Sequence, residues 1–481
     1  MPSKKRKKRE PILARKSIWR YFGFLIFASL ISFGFLSVNL SFEELQTENT
    51  QILDFNFERI IEEQEKNLHS ISKYARPEIQ AERKLENEKF LVPVLPFDVG
   101  PNNLFRHFKE AIPFAKALNL TLVIPPFHRH PRMEIFIDRK ENKESEKTVN
   151  VPIFDTEYSV EIESQPEHTV DYDLLRALLQ AVTYKEFEAK CGKTIDMLVE
   201  CGDIDPKRHQ GFKYFSSATG VKIAHRMSIS NLPGEVEAHN VLKKLDLSSS
   251  KCVGFAIGKK CLGERKSYMK NWKKKYAQFV RRPVDVQTAA LEFFRDVFGG
   301  EKFAGIHWRY DKYDWNDMCK ESRPDAAKAR NGQICEYAEK LEDGDRRLLE
   351  KMSTNLKMAL SHANVEHGYM TGPPQINNTM AAFKRKIPSL KTVDDLKTWV
   401  SEKLPRMKYL LKTNYLISHL EQEIMFLSTK FIGSPLSSWT QTVFFDRMAF
   451  GIEDDESVLD ICLPDVEDLP KLTWLFPEGD P

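Results

Sequence analysis

LVPVLPFDVGPNNLFRHFKEAIPFAKALNLTLVIPP, residues 91–126, is the stretch that decides the fold class. Leu91-Val-Pro-Val-Leu95 reads as a strand, although Pro93 removes one ladder donor. Asp98-Val-Gly-Pro-Asn-Asn103 is a turn. From Leu104 to Leu118 the apolar residues Phe105, Phe108, Ile112, Ala115 and Leu118 fall on one helical face, and Pro113 is expected to kink that helix. Thr121-Leu-Val-Ile124 is the next strand, stopped by Pro125-Pro126. A strand, a helix and a second strand in this order argue for a parallel α/β sheet.

The same rhythm returns in the last third. Phe303-Ala-Gly-Ile-His-Trp308 is a strand entering a polar loop, and Leu348 to Val365 is helical. His367-Gly-Tyr-Met370 is a short strand, Leu416 to Thr429 a helix, Lys430-Phe-Ile-Gly433 a strand, and Ser437 to Phe450 a helix again. Two α/β halves predict two Rossmann-like domains, residues 89–290 and 291–481, facing a cleft. Ligands of such sheets bind at the carboxyl ends of the strands. The middle is less regular: residues 128–170 are polar and loop-rich, and Phe255-Ala-Ile257 is one further strand. The basic stretch from Lys259 to Arg282 is expected to be a solvated helix face, with contact to an anionic ligand as the alternative.

The first twenty residues carry nine Lys or Arg and one Glu, and residues 21–42 carry no charge. About twenty apolar residues suffice for a helix to cross the hydrocarbon layer. Trp19 and Tyr21 mark the interface, and Glu43, Glu44 and Glu48 follow the run. The positive-inside rule then gives a cytosolic tail (1–20), a transmembrane helix (21–42), a charged stem (43–88) and a body in the lumen of the endoplasmic reticulum or Golgi. A cleaved signal peptide, a nuclear signal at KKRKKR and a buried soluble helix are the competing readings. Subtracting the leader's bases and acid from the whole-chain charge of +3 leaves −5, so the body is mildly acidic and charge gives no argument for a nucleic-acid partner.

The seven cysteines include no C-x-x-C pair, so they do not point to zinc. The spacings 191/201, 252/261 and 319/335 suit local disulfides, although spacing alone leaves the pairing open. Asn119-Leu-Thr and Asn377-Asn-Thr are glycosylation candidates, and Asn39 lies too near the apolar run to be a good one.

Three strand-end loops carry candidate chemistry. Gly100-Pro-Asn-Asn103 opens a helix, where an asparagine either caps backbone donors or orients a substrate hydroxyl. His307 and Arg309 fall on one side of a strand end, where an arginine fork suits a phosphate or pairs with a carboxylate such as Asp311 or Asp314. Gly433-Ser-Pro-Leu-Ser-Ser-Trp-Thr440 leads into a helix whose free N–H groups and hydroxyls form an anion site or a plain N-cap at Ser437.

Together these segments resemble the GDP-fucose protein O-fucosyltransferases, most closely the type acting on EGF-like repeats. GPNNLFRHFKEAIPFAKALNLTLVIPPF resembles that family's Gly-Asn-Gln loop, helix and strand, with Asn103 on the asparagine and Leu104 where glutamine would stand. FAGIHWRYDKYDWNDMC resembles its His-Leu-Arg strand, with His307, Arg309, Asp314, Trp315 and Cys319 matching. FIGSPLSSWTQTVFFDR resembles its last motif through Gly433, Ser437, Ser438 and Thr440, with Trp439 for phenylalanine. One segment departs: Tyr369-Met-Thr-Gly372 stands where the family has Ala-Thr-Asp, so Thr371 matches but Gly372 replaces the acid.

The resemblance implies a GT-B architecture and inverting, metal-independent fucose transfer from GDP-fucose to a Ser or Thr hydroxyl, with EGF-like repeats as one acceptor class. It assigns catalysis to Arg309 and Asn103. Gly100, Asn102, Asn103, His307, Arg309, Thr371, Ser437, Ser438 and Thr440 would contact the donor, without a metal or other cofactor. The alternative is an inactive relative that binds a glycan, nucleotide sugar or client protein.

Overall fold

The computed structural model describes residues 89–96, 100–127, 168–202, 212, 213, 215, 216, 219–229, 247, 249–257, 261, 276–309, 346–362, 364–372, 377–412, 414–433, 437–450 and 452. All of them belong to one compact unit, Ile60–Pro481. The apolar run 21–42, the basic tail and the stem lie outside the described residues, as do residues 128–167, Asp314, Trp315 and Cys319. Among the described residues no helix is long and apolar enough to cross a membrane.

Among the described residues ten strands form two sheets whose pairings are all parallel. The first sheet contains β1 (Phe90–Pro93), β2 (Thr121–Ile124), β3 (Ala181–Thr183), β4 (Thr194–Cys201), β5 (Lys222–Ile229) and β6 (Cys252–Ile257), in the order β3-β2-β1-β6-β4-β5. β1, β2 and β6 are buried along their whole length, as expected of parallel strands covered on both faces. Pro93 is tolerated in central β1 because it is the last residue, and the Val94 amide donates to the Phe255 carbonyl at 2.9 Å instead.

Helix α1 spans Pro101–Ala117 and packs on β1, β2 and β6. It starts three residues before its apolar stripe because Pro101 is preset for the first helical position. Gly100 is therefore the N-cap, and Asn102 and Asn103 lie inside the first turn; the expected asparagine cap is not formed. Short helices α2 (Tyr172–Leu178) and α3 (Tyr184–Cys191) complete this half.

The disulfides differ from the expected local pairs. Cys191 joins Cys252 and Cys201 joins Cys261. The reason lies in strand geometry. Cys191 precedes β4 and Cys201 ends it, so a residue rise of roughly 3.3 Å puts them more than 20 Å apart, far beyond disulfide reach. β4 and β6 run parallel in the register Met197 to Val253 and Cys201 to Ile257. Start therefore meets start and end meets end.

The second sheet has the order β10-β7-β8-β9, with β7 at Phe303–His307, β8 at His367–Thr371, β9 at Leu390–Thr392 and β10 at Lys430–Ile432. Its helices are α4 (Val284–Phe298), α5 (Arg346–His362), α6 (Asn377–Lys386), α7 (Val393–Lys403), α8 (Asn414–Leu427) and α9 (Ser438–Ala449). Alternation along β7 sorts the two faces. Ala304, Ile306 and Trp308 enter a core with Met352, Leu356 and Phe383 from α5 and α6. Phe303 faces Phe294 and Phe298 of α4 instead. Gly305 lets α8 close in: a Cβ there would sit 2.4 Å from Met425 Sδ and 2.9 Å from Ser428 Oγ.

Buried polar contacts tie α1 to the helices of the second sheet. Lys109 Nζ bonds Asp446 of α9 at 2.6 Å, with both residues buried. Burial pulls this ammonium below its ordinary pKa, against the opposing effect of Asp446. Arg281 and Arg282, at the end of the basic stretch, are only 2% and 3% exposed. Arg281 pairs with Glu423 and covers the Phe426 ring at 3.8 Å; Arg282 covers Phe105 at 4.1 Å. These two arginines therefore do not belong to a solvated face. Their planar, weakly hydrated guanidinium groups suit such buried stacking.

Candidate active site

Parallel pairing brings three strand ends to one edge. β10, β7 and β8 are neighbours, so Ile432, His307 and Thr371 end side by side, with strands roughly 4.8 Å apart. His307 and Thr371 are directly opposed in register, and the Trp308 amide donates to the Thr371 carbonyl at 2.8 Å. Trp308 then turns into the core, fully buried, which fixes the chain just before Arg309. Arg309 is half-buried two residues beyond the strand.

His307 is the centre of this edge. Its Nδ1 lies 2.6 Å from Thr440 Oγ1, and its ring stacks on Trp439 at 4.3 Å between centroids. Trp439 is itself held by a 2.6 Å bond from Nε1 to Ser418 Oγ. Burial, with a further push from the Arg309 charge, holds the imidazole pKa well below its ordinary value. A neutral ring in this position orients neighbours and is a poor cation for a phosphate.

α9 begins at the same edge. Ser437 is its N-cap, buried, with no side-chain cap bond, and Ser438 is its first helical residue. The first-turn N–H groups and the positive dipole end of α9 lie at its Ser437 end. Thr440 is fully buried against His307.

The turn at Gly100 approaches from the first sheet. Asn102 Oδ1 accepts a 2.7 Å bond from Gln422 Nε2 of α8, and Asn103 is half-buried beside it on the same turn. One turn further, Arg106 Nη1 donates to Gln441 Oε1 of α9 at 3.3 Å. Between α1 and α9 lies a cavity of about 20 Å³, lined by Arg106, Lys109, Glu110, Ser438 and Gln441 among others. That is room for about one water, so this cavity is not itself a nucleotide site.

Thr371 is buried beside Glu421 of α8, which accepts from the Tyr369 hydroxyl at 3.1 Å. Burial raises the Glu421 carboxyl to about 7 and, with Glu421 beside it, keeps the Tyr369 phenol well above its ordinary value. Gly372 follows Thr371 at the end of β8 and has no side chain to offer.

A comparison with protein-family models matches residues 99–449 to O-FucT, the GDP-fucose protein O-fucosyltransferases. The chain belongs to this family. Solved structures similar to it include crystal structures of POFUT1. One, with GDP-fucose, is 13% identical with a TM-score of 0.45 and covers 75% of this chain and 94% of that one. Another, with GDP, is 14% identical with a TM-score of 0.46 and covers 75% and 95%. No curated protein matches.

The three O-fucosyltransferase segments quoted from the sequence are thus distributed over two sheets. The His307–Arg309 and Ser437–Thr440 segments and Thr371 share one sheet edge, and the Gly100–Asn103 turn reaches α8 through Asn102. Glu421, Gln422 and Arg282 were not among the sequence candidates. Their only local signal is that Glu421-Gln-Glu423 interrupts an otherwise apolar helix. Among the described residues no cluster of three or more His, Cys, Asp or Glu is placed to hold a metal ion.

Proposed function

We propose that this O-fucosyltransferase family member transfers fucose from GDP-fucose to Ser or Thr hydroxyls of secretory-pathway proteins, with inversion and without a metal. The observation that carries the reading is the His307–Thr440 contact. It joins the strand end two residues before Arg309 to the first turn of α9, which supports reading Arg309 and that helix start as one anion site.

In this reading residues 89–290 and 291–481 are two Rossmann-like domains of a GT-B enzyme. The bond from the fucose anomeric carbon to the β-phosphate oxygen breaks as the acceptor oxygen bonds to the opposite face and its hydroxyl proton is released to water, leaving GDP. Arg309 meets the negative charge developing on the departing diphosphate. Ser437, Ser438 and the first N–H groups of α9 hold the remaining phosphate oxygens. Neutral His307, kept by Thr440 and Trp439, sets the shape of this cradle, and Thr371 borders the nucleotide. Asn103 positions the acceptor hydroxyl; an amide is not a base at neutral pH, so its contribution is orientation. Gly100 and Asn102 shape the same turn.

The apolar run 21–42 would anchor the body in the lumen of the endoplasmic reticulum or Golgi, where EGF-like repeats are one candidate acceptor class. Asn119, exposed at a left-handed turn after α1, would be open to glycosylation there, and Asn377 is the second candidate.

One observation favours a second reading. Gly372 offers no carboxylate where the resemblance places one, as in a relative that binds without catalysing. Incubating the full-length chain with GDP-fucose and a panel of folded acceptors separates the two. Transfer supports the enzyme, whereas GDP binding with no transfer to any acceptor supports the binder.

A further inference from the structure

Helix α8 turns its polar residues inward. His419, Glu421, Gln422 and Glu423 are each at most 5% exposed. Burying polar and ionisable groups is costly unless each is hydrogen-bonded, so such a run needs a reason. Every one of them reaches a different part of the molecule. His419 Nδ1 lies 3.1 Å from the His168 carbonyl, and Glu423 pairs with Arg281. Glu421 accepts from Tyr369 of β8, on the same face of the strand as Thr371 at its end. Gln422 donates to Asn102, while its Oε1 accepts from both Nε and Nη2 of Arg282.

The Gln422 contacts are directional. With its oxygen occupied by the Arg282 fork, its amide N–H₂ is left for the Asn102 oxygen, so the side chain has one orientation. Arg282 is anchored in turn by a 3.1 Å bond to the Thr169 carbonyl. Asn102 and Asn103 share a helical turn, so a fixed Asn102 fixes the direction of Asn103.

We propose that α8 positions both halves of the site: Glu421 sets the donor-side strand end by holding Tyr369 of β8, two residues before Thr371, and the adjacent Gln422 sets the acceptor-side turn through Asn102. This rests on the fucosyltransferase reading above. It also explains how a strand end that finishes in Gly372 keeps a defined shape, since a carboxyl group of the neighbouring helix holds β8 at Tyr369. Neither residue needs to touch substrate, so both are positioning residues.

The test uses the full-length chain and two substitutions of similar volume, Glu421→Leu and Gln422→Met. GDP affinity is measured by calorimetry, and kcat by transfer from GDP-fucose to a folded EGF-like repeat. Glu421→Leu is expected to weaken GDP about tenfold, roughly the worth of one well-made buried hydrogen bond. Glu421→Gln, which retains an acceptor for Tyr369, should stay within about threefold of wild type. Gln422→Met should leave GDP affinity within about threefold but lower kcat about tenfold or more. A purely structural role would move both quantities together, or neither, and that result overturns the proposal. If Glu421→Leu does not fold, Tyr369→Phe removes the Tyr369–Glu421 bond from the other side and carries the same expectation. No GDP binding by the wild type overturns the fucosyltransferase reading and this proposal with it. Binding and transfer that are equal in wild type and variants overturn this proposal alone.

Discussion

His307 Nδ1 and Thr440 Oγ1, 133 residues apart in the chain, lie 2.6 Å apart with both side chains buried. That contact closes the β7 strand end onto the first turn of α9. Thr440→Val keeps the volume and removes the hydroxyl, leaving a buried ring nitrogen without this bond. We expect a loss of about 1–3 kcal/mol in stability and a weaker GDP site. Thr440→Ser should recover most of both. Thermal melts and calorimetry with GDP check this; a Thr440→Val variant that binds GDP as the wild type does would contradict the role.

Arg309→Ala removes the cation that the proposed mechanism sets against the departing diphosphate. Turnover should fall by about two to three orders of magnitude, the usual consequence of losing a donor to developing charge. Arg309→Lys should rescue little of it, because an ammonium lacks the bidentate fork. Near wild-type rates in either variant would remove the catalytic assignment.

Non-reducing peptide mapping should recover a Cys191–Cys252 peptide and a Cys201–Cys261 peptide. Each bond closes a loop of about 60 residues, so replacing Cys191 and Cys252 together by serine should cost about 2–4 kcal/mol. A recovered Cys191–Cys201 peptide would contradict the β4–β6 pairing.

The strands and helices that frame the site were legible because their patterns are local. Thr121–Ile124 is an apolar run between a left-handed turn and two prolines, and Ser437 stands at the start of the last helix as its sequence suggests. β4 and β5 were not read. β5 is an edge strand whose residues, from Lys222 through His225 and Arg226, are mostly exposed and carry no apolar run. The disulfides misled for a related reason: short spacing suggests a local link, but a strand of eight residues separates its own ends. The α8 contacts had only a weak local signal, the polar interruption Glu421-Gln-Glu423, which does not say what the residues meet. Glu421, Gln422 and Glu423 find partners at Tyr369, Asn102 and Arg281, and only the assembled fold brings these together.

Glu421 gives a pH prediction. Its carboxyl is raised from 4.5 to about 7 by burial, with Tyr369, Thr371 and Lys397 opposing. Between these values the folded chain holds a proton that the unfolded chain has released. Its contribution to stability is therefore full below about pH 4.5 and is lost as pH rises through about 7, with a slope of at most about 1.4 kcal/mol per pH unit. Denaturant melts from pH 5 to 8 should show this decline, and Glu421→Gln should flatten it. An identical slope in the variant would show that Glu421 is not the group responsible.

The central claim is fucose transfer, and intact-mass analysis of acceptors tests it most directly. Folded EGF-like and thrombospondin-type repeats and a glycan acceptor are incubated with GDP-fucose and the full-length chain. The account predicts that one acceptor gains a single deoxyhexose with wild type and none with Arg309→Ala. No gain on any acceptor by a wild-type chain that binds GDP would contradict it.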